Sequence, residues 1–156
     1  MGLNGVKLIS HRGNIDGVNQ ERENNPTYID TALNLGYDVE VDIRGSFYTK
    51  FYLGHDEPEY IITPSWLFER AERLWIHAKD IQALYSLTQQ ASNFNVFWHQ
   101  EDSYTITTKG YIWTYPGQTL TPSSIFVMPE ISEQLFSNNE IESCAGICSD
   151  FIKKYR

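Results

Sequence analysis

YDVEVDIRGSFYTKFYLGHD, residues 37–56, decides the fold. Its first half alternates, with Val39, Val41 and Ile43 on one side of an extended chain and Glu40 and Asp42 on the other. Successive side chains of a strand point to opposite faces, so the two carboxylates share a face. Two acids side by side repel unless something positive sits between them, and a divalent cation is the usual partner. A second apolar run, Phe51 to Leu53, follows and ends in Gly54-His55-Asp56.

Upstream, residues 6–10 form a short apolar strand that runs straight into His11-Arg12-Gly13. The stretch 14–25 is polar and reads as an irregular loop. Asn25-Pro26 is a helix start, an N-cap followed by proline in the first turn. Tyr28, Ile29, Ala32, Leu33 and Leu35 recur at helical spacing, and Gly36 supplies the stop. The order strand, helix, strand predicts a parallel pair joined by a right-handed crossover.

Downstream, a proline-bearing loop leads to a second helix at Thr63-Pro64, with Trp66, Leu67, Phe68, Ala71 and Leu74 as its buried side. A strand over 74–79 follows, then a helix capped by Asp80 with the apolar stripe Ile81, Leu84, Leu87 and Ala91. Further strands are read over 95–99, 104–108, 110–115, 124–128 and 145–149, the last ending at Asp150. Residues 132–136 form at most a short helix. No linker, repeat or low-complexity tract interrupts the chain, so residues 1–156 make a single domain. The alternation predicts an α/β fold with a largely parallel sheet, a compact TIM-like (β/α) barrel. A full eight-unit barrel takes about 250 residues, so this one is expected to be incomplete, with helices trimmed in the second half.

A net charge of −8 argues against nucleic acid or an anionic membrane as partner. Aromatic residues make up 14% of the chain, a supply that fills a core or lines a groove for a flat ligand. No run of about 18 apolar residues exists to span a membrane, and the first residues lack a signal-peptide pattern. Cys144 and Cys148 have no second pair to complete a zinc site and read as buried thiols, which fits a cytoplasmic protein.

All four histidines, His11, His55, His77 and His99, fall at or near the carboxyl end of an expected strand. So do Glu40, Asp42, Lys79, Glu130 and Asp150. In a parallel barrel those ends converge on one mouth, where chemistry takes place.

ISHRG at 9–13, ENNP at 23–26, GYDVEVDIRG at 36–45 and LGHD at 53–56 occur in the order and spacing of the glycerophosphodiester phosphodiesterase signature. The chain resembles that family, part of the phospholipase C-like phosphodiesterase superfamily, over residues 8–56. IHAKD at 76–80, YIWTY at 111–115 and GICSD at 146–150 resemble it more weakly. The resemblance implies a metal-dependent phosphoric diester hydrolase of lipid metabolism acting on a small phosphodiester or phospho-sugar. It makes His11 and His55 the acid/base pair, and Arg12 and Lys79 the phosphate contacts. Glu40 and Asp42 become ligands of one divalent metal ion. His77 stands where the family has a third glutamate ligand, and imidazole shifts preference from Mg²⁺ or Ca²⁺ toward Mn²⁺ or Zn²⁺. His99, Trp113, Glu130 and Asp150 are candidates for substrate or supporting contacts. Residues 46–50 replace the family's T-x-D-G hairpin, and the chain lacks roughly a third of a typical barrel. Two alternatives stand beside hydrolysis with a metal: metal-independent, phospholipase C-like cleavage, and a catalytically degenerate barrel that binds a phosphorylated small molecule.

Overall fold

The computed structural model describes residues 3–156. Strand β1 (Lys7–His11) leads through a long loop into α1 (Pro26–Asn34), and α1 into β2 (Asp38–Gly45). The helix begins where the Asn25 side chain accepts from the backbone N–H groups of Thr27 and Tyr28. It ends before Gly36, whose φ of 96° places it in the left-handed region that glycine tolerates. β1 and β2 run parallel, with His11 opposite Glu40, as the strand–helix–strand order predicts.

From β2 the chain doubles back through β3 (Phe51–Leu53) and β4 (Tyr60–Ile62), an antiparallel excursion. β4 lies in the stretch read from sequence as a loop; three residues leave no periodicity to detect. Next come α2 (Pro64–Arg70), capped by Thr63, and β5 (Leu74–Ala78), which pairs parallel to β2 and sets His77 opposite Asp42. α3 (Ile81–Thr88), capped by Asp80, leads to β6 (Asn95–Phe97). An antiparallel hairpin of β7 (Tyr104–Ile106) and β8 (Ile112–Thr114) follows, then β9 (Ser124–Val127). Two short helices, α4 (Pro129–Ser132) and α5 (Asn138–Ser143), precede β10 (Gly146–Ser149). The short helix expected over 132–136 is present as a 3₁₀ turn, Glu133–Leu135, directly after α4. α5 has no counterpart in the sequence reading, because NNEIES offers no apolar stripe. Its marker is the Ser137–Glu140 capping box.

The ten strands form one mixed sheet, mostly parallel. Its parallel part runs β6-β5-β2-β1-β10-β9-β8. β1, β2, β5 and β6 are parallel neighbours in that order, in keeping with the largely parallel sheet expected. Among the described residues no ladder joins β6 to β8. Thr108 stands between them instead: its backbone N–H donates to the Val96 carbonyl at 2.8 Å, and its Oγ1 accepts from the Val96 N–H at 2.9 Å. The sheet curls strongly, because Phe97 of β6 and Trp113 of β8 stack with ring centroids 4.5 Å apart although their strands lie at opposite ends of the parallel order.

Alternation along each strand sorts residues between two faces. Val39, Val41, Ile43, Leu74 and Ile76 pack outward against Ile29, Ala32, Leu67, Ala83 and Leu87 of the helices. The inner face gathers Ile9, Trp75, Phe97, Trp113, Ile125 and Cys148. A third cluster, with Phe126, Cys144, Ile147 and Ile152, seals the outer face near the C-terminus. The two thiols are buried on opposite faces. The stripe expected on α3 holds at Leu84 and Leu87, joined by Ala83, but Ile81, about 200° around the helix from Ala83, is 64% exposed, and Ala91 lies beyond the helix. Leu35 and Phe68, also expected inside, are exposed. Among the described residues no helix is long and apolar enough to cross a membrane.

Candidate functional site

β2 delivers Glu40 and Asp42 to the inner face, where both are buried. Asp42 is held from several sides. Its Oδ2 accepts from Asn24 Nδ2 at 2.9 Å and lies 3.1 Å from Arg12 Nε, and its backbone N–H donates to Asn24 Oδ1 at 3.0 Å. The loop after β1 is bound to the same place: the Arg12 N–H donates to the Glu40 carbonyl, and the Asn24 N–H to the Arg12 carbonyl. Arg12 and Asn24 both adopt positive φ, 57° and 62°. Asparagine tolerates that region and arginine rarely enters it, so surrounding contacts must hold the strain, as they do at many functional sites.

His77 completes a cluster on this face. Its Nε2 lies 3.1 Å from the His99 carbonyl oxygen, which can only accept, so Nε2 carries the proton. Nδ1 therefore turns toward Asp42 Oδ1 at 3.3 Å and Glu40 Oε1 at 4.0 Å. In the neutral ring that atom is a lone pair facing two carboxylates, an arrangement that needs a cation or a second proton between them. Ligand atoms of Glu40, Asp42 and His77 lie within 4.8 Å of one another. Asp42 Oδ1 and Glu40 Oε2 are buried without a hydrogen-bond partner among the described residues. Buried polar atoms seldom stay unpaired, and one imidazole nitrogen with two carboxylates is a donor set that divalent metals accept. The residues present fit a metal.

The charges agree with that geometry. Burial, and then the Asp42 charge, push the Glu40 carboxyl up to about 7. Burial would raise Asp42 too, but the close His77 imidazole and the Arg12 charge outweigh it and hold Asp42 well below the usual range. Where two buried acids adjoin, one ionises readily and the other resists.

His11 closes β1 beside this cluster. Its Nδ1 lies 2.7 Å from Asp150 Oδ1, just beyond β10, and its Nε2 lies 3.6 Å from Glu40 Oε2. Asn14, fully buried, donates from Nδ2 to Asp150 Oδ1 and to Glu23 Oε2, both at 2.8 Å, and its Oδ1 accepts from the Tyr28 hydroxyl. Burial pulls the His11 pKa down, but the Asp150 hydrogen bond and the Glu40 charge override it and hold the imidazole above its ordinary value. His55 behaves oppositely: burial and the Arg12 charge lower it, against a 2.8 Å contact from Nδ1 to Asp56. All four histidines lie at or near the carboxyl end of a strand, as expected, but one of those strands is not parallel. His55 follows β3, which runs antiparallel, and the hairpin folds it back to the level of Asp42, whose carbonyl accepts from the Gly54 N–H.

His11, Arg12, Glu40, His55, His77, His99 and Trp113 line a single cavity of about 350 Å³. Trp113 is a core ring that also presents a face to this space. Lys79 does not line the cavity; it follows β5 at the rim, where its charge helps depress both His55 and His99. Glu130 is elsewhere. It accepts from the Ser149 hydroxyl and the Asp150 N–H and so braces the segment carrying Asp150. Arg12 is largely engaged, with Nη1 on Glu23 at 3.2 Å and Nε beside Asp42; Nη2 has no hydrogen-bond partner among the described residues.

Sequence reasoning missed Asn14, Asn24 and Tyr115. The two asparagines sit in the loop read as merely irregular, one directly after His11-Arg12-Gly13 and one inside ENNP. Their position in those motifs is the available signal. Tyr115, whose ring stacks on His99 at 3.6 Å, closes the YIWTY stretch, which is its only signal. Comparison with protein-family models, with curated proteins and with solved structures gives no match.

Proposed function

We propose that this protein is a metal-dependent phosphoric diester hydrolase acting on a small soluble phosphodiester, similar to the glycerophosphodiester phosphodiesterases, on a small incompletely laddered (β/α) barrel. The strong curl of the sheet and the Thr108 bridge between β6 and the β7–β8 hairpin support the barrel. One observation carries the function: two histidines with opposite pKa displacements line one cavity with a guanidinium and a metal-capable cluster. Environments that push two titratable groups apart assign acid and base.

His55, kept neutral, takes the proton from the attacking oxygen. His11, kept cationic by Asp150, gives its Nε2 proton to the departing alkoxide; Nδ1 is committed to Asp150 and cannot serve. Arg12 Nη2 and the Lys79 ammonium offset charge on the non-bridging phosphate oxygens. A divalent cation held by Glu40, Asp42 and His77 would supply Lewis acidity at the phosphate. Buried thiols at Cys144 and Cys148 favour a reducing, cytoplasmic setting.

A second reading, cleavage without a metal, is favoured by the Arg12 and His77 contacts that already balance the Asp42 charge. A panel of phosphodiesters and phospho-sugar diesters assayed with Mg²⁺, Ca²⁺, Mn²⁺ or Zn²⁺, beside a chelated control, tests both. Turnover that needs a metal supports the first reading, unchanged turnover in chelator the second, and no turnover of any diester removes both.

A further inference from the structure

The cavity has two unlike walls. His11, Arg12, Glu40, His55 and His77 form one, and Phe97, Trp113, Tyr115, Met128 and Ile131 form the other. The second wall is rigid. Phe97 stacks on Trp113 at 4.5 Å and on His77 at 4.9 Å, and Tyr115 stacks on His99 at 3.6 Å. It is also poor in polar groups, which on these side chains are limited to the Trp113 indole N–H and the Tyr115 hydroxyl. Beside them His99 Nδ1 is buried and without a partner among the described residues.

A phosphate needs only the first wall. The remaining lining is mostly apolar, and a polyhydroxylated arm placed there would give up its bonds to water for few partners. We infer that the substrate of this site is a phosphodiester with one flat, largely apolar arm, an aryl or heteroaryl ester carrying about one hydrogen-bonding group, and that glycerol and sugar esters are poor ligands. The inference rests on the phosphodiesterase reading and narrows it. The ring lies on the Tyr115, Met128 and Ile131 side of the cavity, its polar substituent toward His99, and the phosphate faces His11, Arg12 and His55.

The test is calorimetric, on the metal-loaded wild-type protein, with phenyl phosphate, glycerol phosphate and inorganic phosphate as probes. Phenyl phosphate is expected to bind about ten-fold or more tightly than glycerol phosphate, from burial of its ring. Ile131 is 63% exposed, so Ile131→Gln should fold normally and weaken phenyl phosphate several-fold with little change for inorganic phosphate. Equal affinities for the phenyl and glycerol esters would overturn the inference while leaving the hydrolase reading intact. Tight phenyl phosphate binding with no turnover of aryl diesters would leave the wall as described and remove the hydrolase. No binding of any of the three probes would overturn both.

Discussion

His11 Nδ1 and Asp150 Oδ1 stand 2.7 Å apart, joining the end of β1 to the residue after β10 across 139 positions of sequence. The fully buried Asn14 amide donates to the same carboxylate oxygen. The contact decides which nitrogen of His11 faces the cavity and helps hold the ring's pKa above its ordinary value.

Asp150→Asn therefore lowers the His11 pKa. Burial already pulls that pKa down, and the variant removes the carboxylate whose hydrogen bond does most to oppose it. Turnover of a diester should fall by roughly 10²-fold or more, the worth of one positioned proton carrier. An NMR titration of the His11 ring in wild type and variant checks the direction; an unchanged midpoint would contradict the coupling.

Glu40 carries a pH signature of its own. Its carboxyl, pushed up to about 7 in the fold, holds a proton that the unfolded chain releases near pH 4.3. Between those values the folded state binds more protons, so metal-free stability falls as pH rises. In chelator, Glu40→Gln should then melt several degrees above wild type at pH 8, for a gain of roughly 1–3 kcal/mol, and show little gain at pH 4. Added metal should raise the melting temperature of wild type at pH 8 and do far less for the variant. Thermal melts at the two pH values, with and without metal, read all of this.

The ligand set can be retuned. His77→Glu replaces an imidazole with a hard oxygen donor opposite Asp42 and should tighten Mg²⁺ or Ca²⁺ at the expense of Zn²⁺. Asp42→Asn should abolish binding of all of them. Calorimetric titrations that give Asp42→Asn the affinity of wild type would refute the cluster as a metal centre.

Asn24 is held at φ 62° and makes two hydrogen bonds to Asp42. Asn24→Ala loses the bonds and meets the left-handed penalty, a cost of about 2–4 kcal/mol. Asn24→Gly loses the bonds alone and should recover about 1 kcal/mol of it. Urea denaturation of both variants separates backbone strain from side-chain loss.

The face assignment of β2 is legible in the sequence because alternation sets Val39, Val41 and Ile43 against Glu40 and Asp42, and both sets are buried. α1 is legible through Asn25, Pro26 and Gly36, whose roles are local. What the sequence cannot carry is register. His77 lies opposite Asp42, and Asp150 beside His11, through pairings between segments tens of residues or more apart, and no local pattern encodes them. Strand-end position puts Glu130 at the mouth, yet its side chain turns to Ser149. Asn14 escapes notice because a polar loop residue normally faces water; here burial beneath Tyr28 and Glu23 makes it structural. β4 and α5 are too short and too polar, respectively, to leave a periodic signal.

Diester turnover against pH in wild type, His11→Ala and His55→Ala tests the central claim most directly. With His55 below its ordinary pKa and His11 above, the wild-type rate should be flat between the two and fall on either side. Each single variant should lose roughly 10²–10⁴-fold in turnover and one limb of the profile: the acid limb without His55, the alkaline limb without His11. The double variant should be little worse than the worse single one, because the pair acts as a unit. Near-wild-type rates in both single variants would contradict the account and leave the cavity as a binding site for a phosphorylated ligand.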